Sequence, residues 1–581
     1  MAPSPKTDRG AAVFVFAVWA GMLFWALFFV RAFAPRFPFG DEFALWDLLP
    51  PSGNLSLESL WRLKNEHRIP LPRLVQYLPY VLTGDLRAPM VAQVFLLDAL
   101  ALLLILVARR MRVSTAWSDS FFPLVWLHTG NWANLLSGFQ IALTLPTALA
   151  TTILALLAVS RERVDGRRAV AVGACLACLP ICGAVGLVQA PALAACIAWL
   201  AIAGRRSAGG RVLLASVGVC AAFCALYVLG YRAPHWYHES TRPWAVLDVV
   251  AKLLALSIGP AAESWWPASG AFVLAVIAST LFLVARAHDG TRRLAFLASL
   301  AGIACLAVSI GVGRAEVGPN QGFLARYVTL TTPLLCTGYL AWTAYGRRRS
   351  TALACGALAL VAWVALPWNT RAGVAHGRAT REDVESFERV VAAGTGPAEL
   401  VESFTGLFPF HHPEASRWVV RTLALRRDPP FEKGRSFEPS EFDYLTFSRP
   451  PSRVASAEPV VARFIDGHHV VMAPIGASLR FDVAPGDARI SGRFGVPSEL
   501  AEKKSGGVRV LVESVPREGA PRTLFDRTLD PVSVESDRGS LAFAIDGAEL
   551  PPGEIVFRTE ILRPVRPMWS WSYWSDIRIE R

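Results

Sequence analysis

Two acidic residues follow the first long apolar run of the sequence. Asp41 and Glu42 lie in the stretch FPFGDEFALWDLLPPSG, and Glu66 and His67 lie further along the same predicted loop, 35–87. A carboxylate can remove the proton of a hydroxyl group or hold a divalent cation such as Mg²⁺ or Mn²⁺. Apolar residues alternate with the acids, so we expect the carboxylates to be held against a hydrophobic surface. A loop whose charges simply face water is the alternative.

Amide side chains recur in a second segment, HTGNWANLLSGFQ, which spans 128–140. Asn134 and Gln140 belong to a series of polar residues about one helical turn apart. Polar groups at membrane depth need partners inside the protein, so they can bind a substrate or simply join helices by hydrogen bonds. We include both residues among the candidate substrate-binding groups.

Two arginines mark a third segment, GRAEVGPNQGFLARY. Arg314 and Arg326 stand at the predicted outer ends of consecutive apolar runs, and Tyr327 follows Arg326. A guanidinium group in this position can bind a phosphate at the level of the lipid headgroups. Anchoring of the chain at the membrane interface by Arg and Tyr is the alternative explanation.

The elements that must position these segments are apolar helices. The chain is 53% hydrophobic and 18% charged with a mean hydropathy of +0.38, which is typical of an integral membrane protein. We predict about eleven transmembrane spans, each near the ~20 residues that cross a bilayer. They are 11–33, 88–108, 119–130, 138–159, 169–185, 187–203, 212–231, 268–285, 294–312, 328–345 and 351–367. The third and fifth are short, consistent with tilted or re-entrant segments.

Basic residues predict the orientation. Clusters of Arg and Lys occur in every second short connection, which indicates that those connections and the N-terminus are cytoplasmic. An odd number of spans then places the C-terminus outside a plasma (inner) membrane. The first outer loop departs from the rule, because it contains Arg36, Arg62, Lys64, Arg68, Arg73 and Arg87. The arginines form no continuous basic surface, so the net charge of +12 is a signal of topology and we expect no nucleic-acid partner.

The composition changes after the last predicted span. We divide the chain into a polytopic membrane domain, 1–370, a helical and irregular connector, 371–454, and a β-sandwich, 455–581. Short runs of alternating apolar and polar residues, separated by turn residues, predict about eight strands in the sandwich. The orientation places both the connector and the sandwich outside the cytoplasm.

The order of these segments resembles that of the large bacterial multi-spanning proteins grouped with the GT-C glycosyltransferases. The resemblance rests on DE after the first span, NEHR in the same loop, NWANLLSGFQ after the third span and ARY before a late span, and it covers roughly 11–367. It implies transfer of a sugar from a polyprenyl-phosphate donor to an envelope glycan or lipid acceptor on the outer face. Carried onto this sequence, it implies a base at Asp41, with Glu42 as its neighbour or a metal ligand. It also implies an acceptor site at Glu66 and His67, and phosphate binding by Arg314 or Arg326.

Two other classes of function remain open. A transporter or flippase of a lipid-linked intermediate needs ionisable or helix-breaking residues deep within spans, and Asp98, Pro180, Gln189 and Pro191 are the candidates. A non-catalytic envelope assembly protein would use the sandwich to bind a glycan. Consumption of a polyprenyl-phosphate sugar distinguishes the transferase from both.

Overall fold

A computed structural model describes most of the chain. The described residues are 5–38, 40–49, 54–65, 67–160, 164–231, 240–318, 320–408, 413–484, 486–498, 506–546, 550–562 and 571–580. Their contacts divide the chain into two compact units, Met1–Glu382 and Asp383–Arg581.

The first unit is helical. Its α-helices are α1 Pro5–Phe33, α2 Leu57–Trp61, α3 Pro70–Thr83, α4 Ala88–Arg112, α5 Phe121–Leu127, α6 Trp132–Leu135, α7 Ile141–Val159, α8 Gly166–Cys178, α9 Ala184–Ala203, α10 Ala208–Val228, α11 Pro243–Ala255, α12 Ala261–Ser264, α13 Ala268–Ala285, α14 Gly290–Arg314, α15 Val328–Tyr345 and α16 Arg348–Ala392. The last of these, α16, continues into the second unit. Short 3-10 helices join several of the others.

Eight helices among the described residues are long and apolar enough to cross a membrane. They are Arg9–Phe33, Ala88–Arg112, Gly138–Val159, Ala184–Ala203, Ala208–Val228, Ala268–Ala285, Gly290–Arg314 and Arg348–Ala392. They carry exposed apolar side chains, such as Phe24 of α1, which is 71% exposed. The sequence prediction of several long apolar helices is confirmed. Its count of eleven spans is not confirmed.

Three predicted spans, at 119–130, 169–185 and 328–345, do not correspond to any of these eight helices. The prediction at 328–345 corresponds to α15, which is buried over most of its length and contains several threonines. Thr332 and Thr337 donate their hydroxyl protons to backbone carbonyls one turn earlier, at 2.9 and 2.7 Å, so the polar groups are satisfied within the helix. The short predictions at 119–130 and 169–185 correspond to α5 and α8, each adjoined by a 3-10 helix.

The second unit begins with helical segments and ends in strands. Its helices after α16 are α17 Pro397–Leu407, α18 Pro413–Arg426 and α19 Pro439–Asp443. Its strands are β1 Arg453–Ala455, β2 Val461–Ile465, β3 His468–Ala473, β4 Ser478–Asp482, β5 Arg489–Val496, β6 Val508–Pro516, β7 Arg522–Leu529, β8 Gly539–Asp546, β9 Gly553–Ile561 and β10 Ser572–Glu580. All eight predicted alternating runs contain a strand, and β1 and β2 precede them.

The strands form two antiparallel sheets of five strands each. Their orders are β1-β4-β9-β6-β7 and β2-β3-β10-β5-β8. Apolar residues from both sheets share one core, in which the ring of Trp574 lies 5.1 Å from that of Phe557. The two-sheet antiparallel region is therefore confirmed. Trp574 belongs to its core, whereas Trp571 is 42% exposed.

Candidate functional site

The acidic segment of the first loop forms a 3-10 helix, Gly40–Leu48, whose apolar side chains are buried. Gly40 has φ +60°, in the left-handed region that favours glycine, where the chain enters this helix. Trp46 is 1% exposed, and its ring centre lies 6.4 Å from that of Tyr80 in α3. This packing holds the two acidic residues of the first turn in place.

Glu42 joins the first loop to the second predicted segment. Its side chain is buried, and its Oε1 accepts a hydrogen bond of 2.8 Å from the backbone N–H of Gly138. Gly138 begins the span Gly138–Val159, so the carboxylate lies at the positive end of that helix. A Cβ atom at Gly138 would lie 2.9 Å from the Cβ of Pro89, so this close approach needs a glycine. In this geometry Glu42 acts as a helix cap.

Asp41 is half-buried, and its Oδ1 accepts a hydrogen bond of 3.2 Å from the side-chain amide of Asn65. Asn65 has φ +52° in a tight turn, a conformation that Asn tolerates better than most residues. Across this turn Lys64 and His67 exchange two backbone hydrogen bonds, of 2.8 and 2.9 Å. The turn thus brings half-buried His67 into the same region as Asp41. Glu66, the residue before His67 in the sequence, lies outside the described residues.

A small apolar cluster packs these segments together. The cluster buries Ala44 of the acidic 3-10 helix, Ile69 after the turn, Phe139 of the second segment and Ala142 of α7. The structure therefore brings together Asp41, the loop that carries His67, and the end of the HTGNWANLLSGFQ segment.

Asn134 is at the centre of a buried amide network. Its Nδ2 lies 2.6 Å from the Oδ1 of Asn131, 3.1 Å from the carbonyl oxygen of Arg326 and 3.0 Å from the Oγ1 of Thr329. Its own carbonyl accepts a hydrogen bond from the Gln93 side chain. Its Oδ1 has no hydrogen-bond partner among the described residues. The contacts match the predicted alternative in which the amides join helices.

The side chains of Arg326 and Tyr327 are in contact. The guanidinium carbon of Arg326 lies 5.1 Å from the centre of the Tyr327 ring, and Tyr327 is buried in a cluster that includes Ala307 of α14. Arg314 ends α14 two turns after Ala307, so it lies on the same face about 10 Å further along the helix.

Gln140 is half-buried where the second segment leads into α7.

Two arginines of the first loop that break the charge rule have internal partners. Arg68 donates to the carbonyl of Leu229 at 2.9 Å, just past the end of α10. Arg73, whose side chain is fully buried, donates to the carbonyl of Arg62 at 2.9 Å, and its Nη2 lies 3.6 Å from Asp47. Burial lowers the pKa of Arg73, and the charge of Asp47 opposes that effect. The sequence analysis interpreted both arginines only in terms of membrane topology.

A third arginine of this loop, Arg87, forms a two-point contact with Asp85. Its Nε and Nη2 donate to the carboxylate at 2.9 and 2.6 Å. These hydrogen bonds hold the pKa of Asp85 below its usual range, and the nearby charge of Arg36 acts in the same direction. In the sequence, the signal for this contact was the short spacing between the acid and the arginine in DLR, 85–87.

The candidate ligands for a divalent cation are Asp41 and Glu42, whose partners are Asn65 and the N–H of Gly138. No group of three or more His, Cys, Asp or Glu side chains that could hold a metal ion occurs in the described part of the chain, which leaves out Glu66. The divalent cation stays a prediction.

No protein-family model and no curated protein matches the sequence. Among solved structures, the chain is similar to the M60 catalytic domain with the CBM51-1 and CBM51-2 domains from Clostridium perfringens ZmpB. The match covers 24% of this chain and 15% of that one, at 11% identity and a TM-score of 0.17. A similarity at that TM-score carries no information about the fold or the function of this chain.

Proposed function

We propose that the protein is a membrane glycosyltransferase of the GT-C type. It transfers a sugar from a polyprenyl phosphate to a cell-envelope glycan or lipid on the outer face of the plasma membrane. The observation that carries the proposal is Asp41. It is a half-buried carboxylate held by Asn65, in a loop between two helices that are long enough to span a membrane.

The proposed reaction assigns a task to each group. Asp41 accepts the proton of the acceptor hydroxyl while the hydroxyl oxygen attacks the anomeric carbon of the sugar. The bond between that carbon and the phosphate oxygen breaks, and the phosphate leaves with the electron pair. Arg326 stabilises the departing phosphate, supported by Tyr327 beneath its guanidinium group, and Arg314 is the second candidate for this task. His67 is the candidate for binding the acceptor.

Within the proposal, Glu42 has a separate task. Its Oε1 is engaged by the N–H of Gly138, so it fixes the position of its neighbour Asp41 relative to the second segment. Asn134 and Gln140 lie in that segment, where Asn134 supports the backbone of Arg326. The site is thus assembled from three loops that are distant in sequence.

The test is the substitution Asp41→Asn. An asparagine keeps an oxygen that can accept the hydrogen bond from Asn65, so the loop should keep its structure while the base is lost. We expect transfer from a labelled polyprenyl-phosphate sugar to an envelope extract in liposomes to fall ~10²–10⁴-fold. Glu58→Gln is the matched control, because the side chain of Glu58 in the same loop is 85% exposed. Wild-type transfer by Asp41→Asn at equal membrane levels would remove the basis of the proposal.

One observation favours transport as a second candidate function. Asp98 in α4 is 7% exposed, and its Oδ1 has no hydrogen-bond partner among the described residues. An ionisable group within a membrane helix commonly marks an ion or substrate pathway. Loss of lipid translocation in Asp98→Asn, with no sugar transfer in the wild-type protein, would favour the transporter.

A further inference from the structure

A large groove lies between three helices of the first unit. It has a volume of about 700 Å³ and is bounded by α1, α3 and the first turns of α4. Its walls are mainly apolar and include Leu27, Val30, Leu82, Val91 and Phe95. Grooves of ~300–1,000 Å³ are large enough to hold a small organic molecule or part of a larger one.

The orientation of α3 indicates what surrounds this groove. Pro70 begins the helix and Gly84, with φ +69°, ends it. The helix buries Arg73 and Gln76 against the protein, whereas Leu82 is 84% exposed. A helix that turns its polar residues inward and its apolar residues outward fits a lipid environment and not water. The groove, which includes Leu82, therefore opens toward lipid.

Charged groups lie at one end of the groove. Arg31 from the last turn of α1, Asp85 and Arg87 all contribute to its lining, which gives two guanidinium groups against one carboxylate. Asp85 occupies the Nε and Nη2 of Arg87. The guanidinium group has five N–H donors, so the Nη1 of Arg87, which is not used by Asp85, can donate to a ligand. From Arg87 to Phe95 the lining follows about 12 Å of α4, so an anionic head and an apolar chain fit end to end.

We propose that this groove binds a resident anionic phospholipid of the bilayer, with its phosphate between Arg31 and Arg87 and an acyl chain along Leu27, Val91 and Phe95. The net positive lining selects an anionic head, and the apolar walls select a lipid over a free phosphate. No described residue of the 3-10 helix that carries Asp41 lines the groove. The bound lipid is therefore a structural partner and not the reacting donor, and the inference does not rest on glycosyl transfer.

The test compares lipids on the purified full-length protein. Native mass spectrometry should show phosphatidylglycerol retained in preference to phosphatidylcholine. Arg31 is exposed, so Arg31→Gln should leave the fold intact and weaken phosphatidylglycerol binding about fivefold, the usual effect of one basic residue at an anionic membrane surface. Arg110→Gln is the matched control, an exposed arginine at the opposite end of α4.

A second variant tests the apolar part of the groove. Ala92 lines it, and Ala92→Trp should fill the space and abolish retention without changing the charge. Equal retention of both phospholipids, together with unchanged binding in Arg31→Gln and Ala92→Trp, would overturn the proposal. So would binding of a polyprenyl phosphate, but not phosphatidylglycerol, that depends on the same two positions, because the groove would then be a donor site.

Discussion

The hydrogen bond from Gly138 to Glu42 leads to a prediction that separates structure from chemistry. Glu42→Ala removes the acceptor, so the buried backbone N–H of Gly138 loses its hydrogen-bond partner. Solvent does not reach this N–H, because Glu42 itself is only 3% exposed. Glu42→Gln removes the charge but keeps an oxygen that can accept the same hydrogen bond. The two variants therefore differ chiefly in whether the N-terminus of the span beginning at Gly138 is capped.

The expected magnitude follows from the type of bond. A hydrogen bond to a charged group contributes ~1.5–3 kcal/mol, and an unsatisfied buried donor costs a similar amount. We take about 2 kcal/mol for Glu42→Ala, which corresponds to an approximately 30-fold larger open population of this helix start. For Glu42→Gln we expect a change within about threefold, because the acceptor is kept.

Hydrogen exchange in lipid nanodiscs measures this difference directly. The peptide that contains Gly138 should exchange about 30-fold faster in Glu42→Ala than in the wild-type protein, whereas peptides of α13 should be unchanged. Equal exchange rates in the Ala and Gln variants would refute the capping role. A ~10²–10⁴-fold loss of sugar transfer in Glu42→Gln with normal exchange would identify Glu42, and not Asp41, as the base.

Two further predictions concern ionisable groups, the buried Arg73 and the half-buried His469. Arg73→Met should destabilise the first loop by about 2–3 kcal/mol and speed its cleavage by a protease, because buried carbonyls and Asp47, itself 31% exposed, lose a cation; Arg62→Met, at a side chain 60% exposed, should change the cleavage rate little. Burial lowers the pKa of His469, so below pH ~6.5 the unfolded chain binds more protons and the second compact unit, expressed alone, should lose stability as the pH falls. His469→Asn should flatten this dependence in pH-dependent thermal melts more than His468→Asn, a change at an exposed neighbour; equal slopes for both variants would contradict the assignment.

The sequence determined the features that depend on local pattern. Alternating runs predicted the strands of the C-terminal sheets because the side chains of a strand point alternately to its two faces. Long apolar runs predicted the helices that can span a membrane because a helix satisfies its own backbone within one segment. The resemblance to the GT-C glycosyltransferases also implied a base at Asp41, although its partner Asn65 was not named.

The tertiary structure decided which residues meet. Glu42 and Gly138 are 96 residues apart, and no local periodicity reports their hydrogen bond. The same holds for Arg68, which donates a hydrogen bond to a carbonyl at the end of α10. This arginine, an apparent exception to the charge rule, therefore caps a helix. A sequence pattern records the preference of a residue for water or lipid, but the partner of a buried charge depends on how distant segments pack. For that reason the loops that carry the candidate site were predicted as separate segments, and their assembly became visible only in the folded protein.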